Sequence, residues 1–399
     1  MAAQRKTSRY VVPVAVAGIA AATIGLVPAL AASGDPDLPE ITAQQLIEKI
    51  AASDTQTLSG TLKVSTDLGL PAFDGLLGGL AGGAAQGGGE GEGSADPAAQ
   101  LTKLVSGTHT LKIAADGPER QKLTLLDGKE QYSLVHNGDE VWAYDSRSNE
   151  VFHEKGVDAD PGEDGPAPGK ELPASPKDLA DEVLKAAGDT TSITVGGTAN
   201  VAGRDAYRLV IEPKQQGSTV DAITIAVDAA TGTPLKFTLD STSGGKPVLD
   251  AGFTKVDFGR PAASEFDFTV PKGAKVTEGD DVEASHKDVE KDLEKEFGGL
   301  GDLGLGGAGG FGEGDVNVIG EGWTSIARLD SGAPAPKTDE APKEVQGFLD
   351  SLGEKVSGKF GSGTVFKTKI VNALMTDDGK VYVGAVTPEA LVDAANAAE

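Results

Sequence analysis

No cysteine occurs in the 399 residues. That absence excludes disulfides, thiol nucleophiles, cysteine-ligated zinc, iron–sulfur clusters and the lipidated cysteine of a bacterial lipoprotein. Positive charge is also scarce, with 35 Lys and Arg against 61 Asp and Glu and a formal net charge of -26. So acidic a chain is repelled by phosphate backbones, and no basic patch offsets this, so nucleic acid is excluded as a partner. The four histidines, His109, His136, His153 and His286, lie in separate segments without a paired-ligand spacing. No metal or other cofactor is expected, and the histidines in or beside strands read as solvated or as bonded to a neighbour.

Nucleophile and phosphate motifs are missing as well. There is no G-x-S-x-G elbow and no G-x-x-x-x-G-K-[ST] loop. The pattern G-x-G-x-x-G occurs at Gly299, Gly301 and Gly304 and again at Gly307, Gly309 and Gly312, but in low-complexity sequence behind a charged segment rather than a strand. The acidic loop 158–171 misses the calcium-loop pattern, having Glu163 where that loop needs Gly and Gly169 where it needs Glu. Nothing marks a catalytic site, and the chain reads as non-enzymatic.

Only one long apolar run is present. Arg5, Lys6 and Arg9 precede Val11–Leu30, and Ala29-Leu30-Ala31 fits a small-x-small cleavage site. Residues 1–31 therefore read as a secretory signal peptide. The alternative is an uncleaved membrane anchor, since a run of this length just spans a bilayer. Either reading puts the remainder outside the cytoplasm.

That remainder is rich in period-two patterns. Residues 41–54 read as a helix, with Thr42 and Gln45 as a capping box and Leu46, Ile47 and Ile50 as its apolar stripe. The next segment alternates Leu58, Leu62 and Val64 with polar residues, as a half-buried strand does. Strands come next at 108–115, 120–127, 130–137, 139–145 and 150–154, separated by turn signals at 127–128, 137–139 and 146–149. A helix over 175–189 interrupts them, and five more strand patterns run from Thr191 to Gly259. This order fits one curved antiparallel sheet with helices lodged on one face. The apolar positions at period two are Leu111 and Ile113, Leu123 and Leu125, Tyr132 and Leu134, Trp142 and Tyr144, Tyr207, Leu209 and Ile211, Ile223 and Ile225, and Leu235, Phe237 and Leu239.

Two Gly-rich stretches, 68–97 and 297–314, cannot be regular core elements and read as loops or linkers, either disordered or acting as mobile apolar flaps. The second lies behind a charged helix-like segment, 286–296. Beyond it, strands at 318–329, 364–376 and 380–386 and helices at 342–356 and 387–398 predict a small β-α-β-β-α unit.

Four phrases then match a known family in order and spacing. NGDEVWAYDSRSNEVFHE (137–154) resembles the Trp-x-Tyr hairpin of the LolA-type lipoprotein carriers. VAGRDAYRLVIEPK (201–214), VDAATGTPLKFTL (227–239) and ASEFDFTVPKGAKV (263–276) are similar to three further phrases of that family. The likeness covers about residues 40–276, and the tail 316–399 is weakly similar to the second domain of the RseB/MucB regulators of extracytoplasmic sigma factors.

The resemblance implies an α+β fold: a half-open antiparallel β-barrel with helices covering its concave face, plus a small C-terminal α+β unit. It implies a half-barrel at 38–276 carrying the Gly-rich insert 68–97, a charged and Gly-rich linker at 277–315 and the small domain at 316–399. The expected ligand is a lipid or the acyl chain of a lipidated protein, held by a carrier or sensor. The alternative partner is a membrane-bound anti-sigma factor in envelope-stress signalling. The expected lining is Leu62, Val64, Leu111, Ile113, Leu123, Leu125, Tyr132, Leu134, Trp142, Tyr144, Leu209, Ile211, Ile225 and Phe237. Trp142 and Tyr144 serve either as pocket wall with a hydrogen-bonding rim or as ordinary core.

Overall fold

A computed structural model describes residues 35–69, 106–156, 187–278, 317–330 and 353–398, with the single positions Ala95, Leu104, Asp181, Leu184 and Lys185. The expected signal segment, the acidic loop, the charged segment 286–296 and the second Gly-rich stretch lie outside the described residues. So do most of the first Gly-rich stretch and of the helix expected over 175–189.

The described chain is mostly β, in two open sheets. The larger is built from β1 (Thr57–Thr66), β2 (Gly107–Asp116), β3 (Arg120–Asp127), β4 (Glu130–Asn137), β5 (Glu140–Asp145), β6 (Glu150–Lys155), β7 (Thr191–Val201), β8 (Arg204–Pro213), β9 (Val220–Asp228), β10 (Pro234–Ser241), β11 (Leu249–Asp257) and β12 (Lys275–Glu278). Its order is β12-β6-β5-β4-β3-β2-β1-β11-β10-β9-β8-β7. Neighbours run antiparallel except β12, which lies parallel to β6. Two meanders therefore meet where β1 pairs with β11. At that seam the register shifts between Thr61 and Leu62, and a Cβ on Gly60 would stand 2.6 Å from the Lys255 carbonyl and 2.7 Å from the Phe253 ring, so only glycine fits.

Helix α1 (Ala43–Ala51) begins with the expected capping box: Thr42 Oγ1 accepts from the Gln45 amide at 3.2 Å, and Gln45 Oε1 accepts from the Thr42 amide at 2.9 Å. Its buried Leu46 and Ile47 pack on Tyr207, Leu209 and Val227. The leader is tied down by the Tyr207 hydroxyl, which donates to the Pro39 carbonyl at 3.0 Å.

The smaller sheet has the order β13-β14-β18-β17-β16-β15, from β13 (Asn317–Ile319), β14 (Ile326–Asp330), β15 (Gly353–Gly358), β16 (Gly361–Phe366), β17 (Asn372–Thr376) and β18 (Lys380–Gly384). Helix α2 (Pro388–Ala397) seats Leu391 and Ala395 in a cluster with Val365, Leu374 and Tyr382. Here the structure departs from the sequence reading. The strand expected over 318–329 is split by Gly320 and Gly322, both at positive φ. The strand expected over 364–376 is broken by a turn in which Thr368 Oγ1 accepts from the amides of Ile370 and Val371. The end of the helix expected over 342–356 is a strand instead: β15 pairs with β16 through a hairpin closed at Gly358 and Gly361. Pairing with a neighbour thus overrides the weak helical preference of Glu354 and Lys355.

The smaller sheet docks on loops of the larger one. Thr219 donates its amide to the Ala385 carbonyl at 3.0 Å, Thr387 to Gly217 at 2.8 Å, and Lys369 to Leu68 at 2.9 Å. Trp323 donates its indole N–H to Thr191 Oγ1 at 2.7 Å. The Lys369 ammonium lies 2.7 Å from Asp67 Oδ2. Its hydrogen bond holds the Asp67 carboxyl below the usual carboxylate range, with burial opposing and the Gly69 amide assisting. Because the folded-state value is depressed, this contribution is present above the ordinary carboxylate value and lost as pH falls through the folded one. Protection of the Lys369 and Ile370 amides, the exchange rate measured against the intrinsic rate at each pH, is therefore expected to fall on acidification, and Asp67→Asn is expected to flatten that pH dependence.

Candidate functional site

Cross-strand register places the predicted residues of β1 to β4 in rows on one face of the six strands β1 to β6. The middle row is Gly60, Ile113, Leu123, Leu134, Ala143 and Phe152, apolar across all six strands. On one side lies the row Leu62, Leu111, Leu125, Tyr132, Asp145 and Glu150. On the other lies Leu58, Ala115, Gln121, His136, Val141 and Glu154. A strand's side chains alternate between faces, so each strand contributes every second residue. Leu62, Val64, Leu111, Ile113, Leu123, Leu125, Tyr132 and Leu134 are all buried in one cluster.

That face continues through β11 to β8, because Val64 pairs with Ala251, Ala251 with Phe237, Phe237 with Ile225 and Ile225 with Leu209. Here α1 covers it. Leu209 is buried beneath the helix, with Ile211 and Ile225 partly buried beside it, so these three seat the helix; Phe237 stays half-buried between the two regions.

Trp142 and Tyr144 are not on this face. Trp142 stands opposite Val135 and His153, and Tyr144 opposite Ser133 and Val151, on the reverse side of the sheet. The Trp142 ring stacks on His153 at 3.6 Å between centroids and on Phe268 at 5.2 Å, with Tyr144 tilted against Phe268. Their polar tips are held locally: Trp142 Nε1 donates to Glu140 Oε2 and Tyr144 Oη to Asn149 Oδ1, each at 3.2 Å. The indole N–H holds the Glu140 carboxyl below its usual range. The segment after β11 covers this side. Lys122 donates to the Glu265 carbonyl at 3.0 Å, Phe266 is fully buried, and β12 then runs beside β6, where Glu278 meets His153 Nδ1 at 2.9 Å. Trp142 and Tyr144 therefore anchor a crossing strap rather than line the apolar face. In β4 the residues from Tyr132 to His136 are all buried, so alternation alone could not tell which side of β5 belonged with which side of β4.

Three polar groups on the apolar face behave differently. The Tyr132 hydroxyl donates to the carbonyl of Ala95, itself buried, at 3.1 Å. Gln121 and His136, adjacent across β3 and β4, are 5% and 4% exposed. Gln121 Oε1 and both ring nitrogens of His136 have no hydrogen-bond partner among the described residues. His136 is thus not solvated and has no bonded neighbour among the described residues, contrary to the expectation for the strand histidines. A single polar residue in a strand gives no sequence signal of facing inward.

Near the β8–β9 end, Asp228 is a structural hub. Its carboxylate takes a paired contact from Arg204, with Nη2 at 3.0 Å, and accepts from the amides of Ala230 and Thr231 and from the Thr231 hydroxyl. Burial pushes this carboxyl up, but the hydrogen bonds from Arg204 and Thr231 and the guanidinium charge outweigh it and hold it below the usual range. Among the described residues no group of three or more His, Asp or Glu is placed to hold a metal ion. No helix of the described residues is long and apolar enough to cross a membrane.

No family model and no curated protein matches the sequence. Solved structures do. The complex of MucA and MucB from Pseudomonas aeruginosa is similar at 15% identity, over 88% of this chain and 96% of the other, with a TM-score of 0.36. A LolA superfamily protein from Nitrosomonas europaea is similar at 11% identity, over 52% and 75%, with a TM-score of 0.18. A putative outer membrane lipoprotein-sorting protein domain from Vibrio parahaemolyticus is similar at 11% identity, over 55% and 93%, with a TM-score of 0.20. The solved structures similar to this chain thus include MucB and a LolA superfamily protein, the same two groups that the sequence resembles.

Proposed function

We propose that this chain is an extracytoplasmic, non-enzymatic binding protein, a half-open barrel that shelters the acyl chain of a lipid or lipidated protein against the apolar face of β1 to β6. The observation that carries the reading is the middle row, where six adjacent strands present no polar side chain. Such a stripe extends about 24 Å across the strands, from the usual spacing of about 4.8 Å. It suits a long, thin, apolar ligand better than a compact polar one. Association would be driven by taking methylenes out of water, about 0.8 kcal/mol for each CH₂ buried.

The test is a chain-length series. Saturated acyl probes of increasing length, titrated into the full chain, are expected to bind about fourfold tighter for each added methylene until the stripe is filled. Affinity that does not change with chain length would remove the acyl-chain reading.

A further inference from the structure

We infer that Gln121 and His136 form a polar flank of this site beside the middle of the stripe, a seat for an uncharged, hydroxyl-bearing head group. The inference rests on the acyl-chain reading above and adds which end of the ligand is recognised and by what.

Both side chains are more than nine-tenths buried and stand directly across from each other in the β3–β4 ladder. Paired positions of that kind bring Cβ atoms to about 5 Å. Each lies two residues along its strand from the middle row, Gln121 from Leu123 and His136 from Leu134. A head group carried by a chain seated over Leu123 and Leu134 therefore reaches them within about 7 Å. On the other side of the stripe the polar groups are already occupied: the Tyr132 hydroxyl is bonded to Ala95, the Asp145 carboxylate accepts from the Arg147 amide and Glu150 faces Lys275. Gln121 Oε1, His136 Nδ1 and His136 Nε2 have no partner among the described residues. A buried polar group left unpaired is unfavourable, and a ligand that satisfies it recovers that loss on binding.

The unpaired atoms set the chemistry. A neutral imidazole offers one N–H donor and one acceptor nitrogen, and the amide oxygen accepts. The matching group must both donate and accept, as a hydroxyl does; an ester or ether oxygen only accepts. Charge is selected against. The row through these residues, Leu58, Ala115, Gln121, His136, Val141 and Glu154, contains no Lys or Arg to hold an anion, and Glu154 and the net charge of -26 oppose one.

The experiment uses the full chain and three probes of equal acyl length: a monoacylglycerol, the same molecule with both hydroxyls methylated, and the free fatty acid. The wild type is expected to bind the monoacylglycerol on the order of tenfold tighter than the methylated probe. Gln121→Leu and His136→Phe are each expected to reduce that ratio towards one. Both replace an unpaired polar group by an apolar one of similar size and are expected to fold at least as stably. Equal affinities in the wild type, a ratio that persists in both variants, or a preference for the fatty acid would overturn the assignment while leaving the acyl-chain site standing. If no probe binds the wild type, the acyl-chain reading fails as well.

Discussion

Replacing Asp228 by Ala is expected to lower the unfolding free energy by about 3 kcal/mol, the size of loss seen when one partner of a buried, hydrogen-bonded ion pair is removed. Asp228 is 1% exposed and joins three things: Arg204 at the start of β8, the amides of the 230–231 turn, and the Thr231 hydroxyl. Truncation leaves Arg204 stacked on Phe258 without its carboxylate and leaves the turn amides unsatisfied. The pH behaviour has a definite sign. The folded-state value of Asp228 is depressed, so its contribution is full above the ordinary carboxylate value and disappears as pH falls through the folded one. Urea unfolding at neutral pH is expected to show the full loss, and the difference between wild type and variant is expected to shrink below about pH 4.

Leu125→Glu is expected to abolish acyl-chain uptake, whereas Trp142→Phe is expected to leave it unchanged. Leu125 is 7% exposed between Leu111 and Tyr132 on the apolar face, so a carboxylate there is placed against hydrocarbon without a cation. Trp142 lies on the opposite side of the same sheet; phenylalanine keeps a ring against His153 and Phe268 and loses only the bond to Glu140. Because a charge at Leu125 also strains the fold, Leu125→Ala serves as the milder partner. It is expected to cost about 2–4 kcal/mol of stability and to weaken uptake by a smaller factor. Uptake lost on changing Trp142 but kept on changing Leu125 would reverse the assignment of the two faces.

Much of the fold is legible in the sequence because period-two alternation and Gly, Asn and Asp turns are local signals. β2 to β6 and β7 to β11 stand where those signals fall. The capping box at Thr42 and Gln45 is legible for the same reason. Facing is harder. β5 reads Val141, Trp142, Ala143, Tyr144, with apolar residues on both sides, and the larger pair points to the wrong one. Only the pairing of Ala143 with Leu134 decides it. The strap from Phe258 to Glu278 that buries the reverse side is a tertiary arrangement with no local signature, and so is the β1–β11 pairing across nearly the whole span of the larger sheet. Gln121 and His136 do not stand out in the sequence, because a polar residue in an amphipathic strand ordinarily marks the solvent side. β15 reads as the end of a helix because charged residues fit either element when the partner strand is unknown.

The most direct test is the intact mass of the protein purified from its own host under conditions that keep noncovalent complexes together. The account predicts a mass above that of the chain, with the excess released as acyl lipid on extraction with organic solvent. A chain that appears at its bare mass, and stays there when incubated with monoacylglycerol, would contradict it.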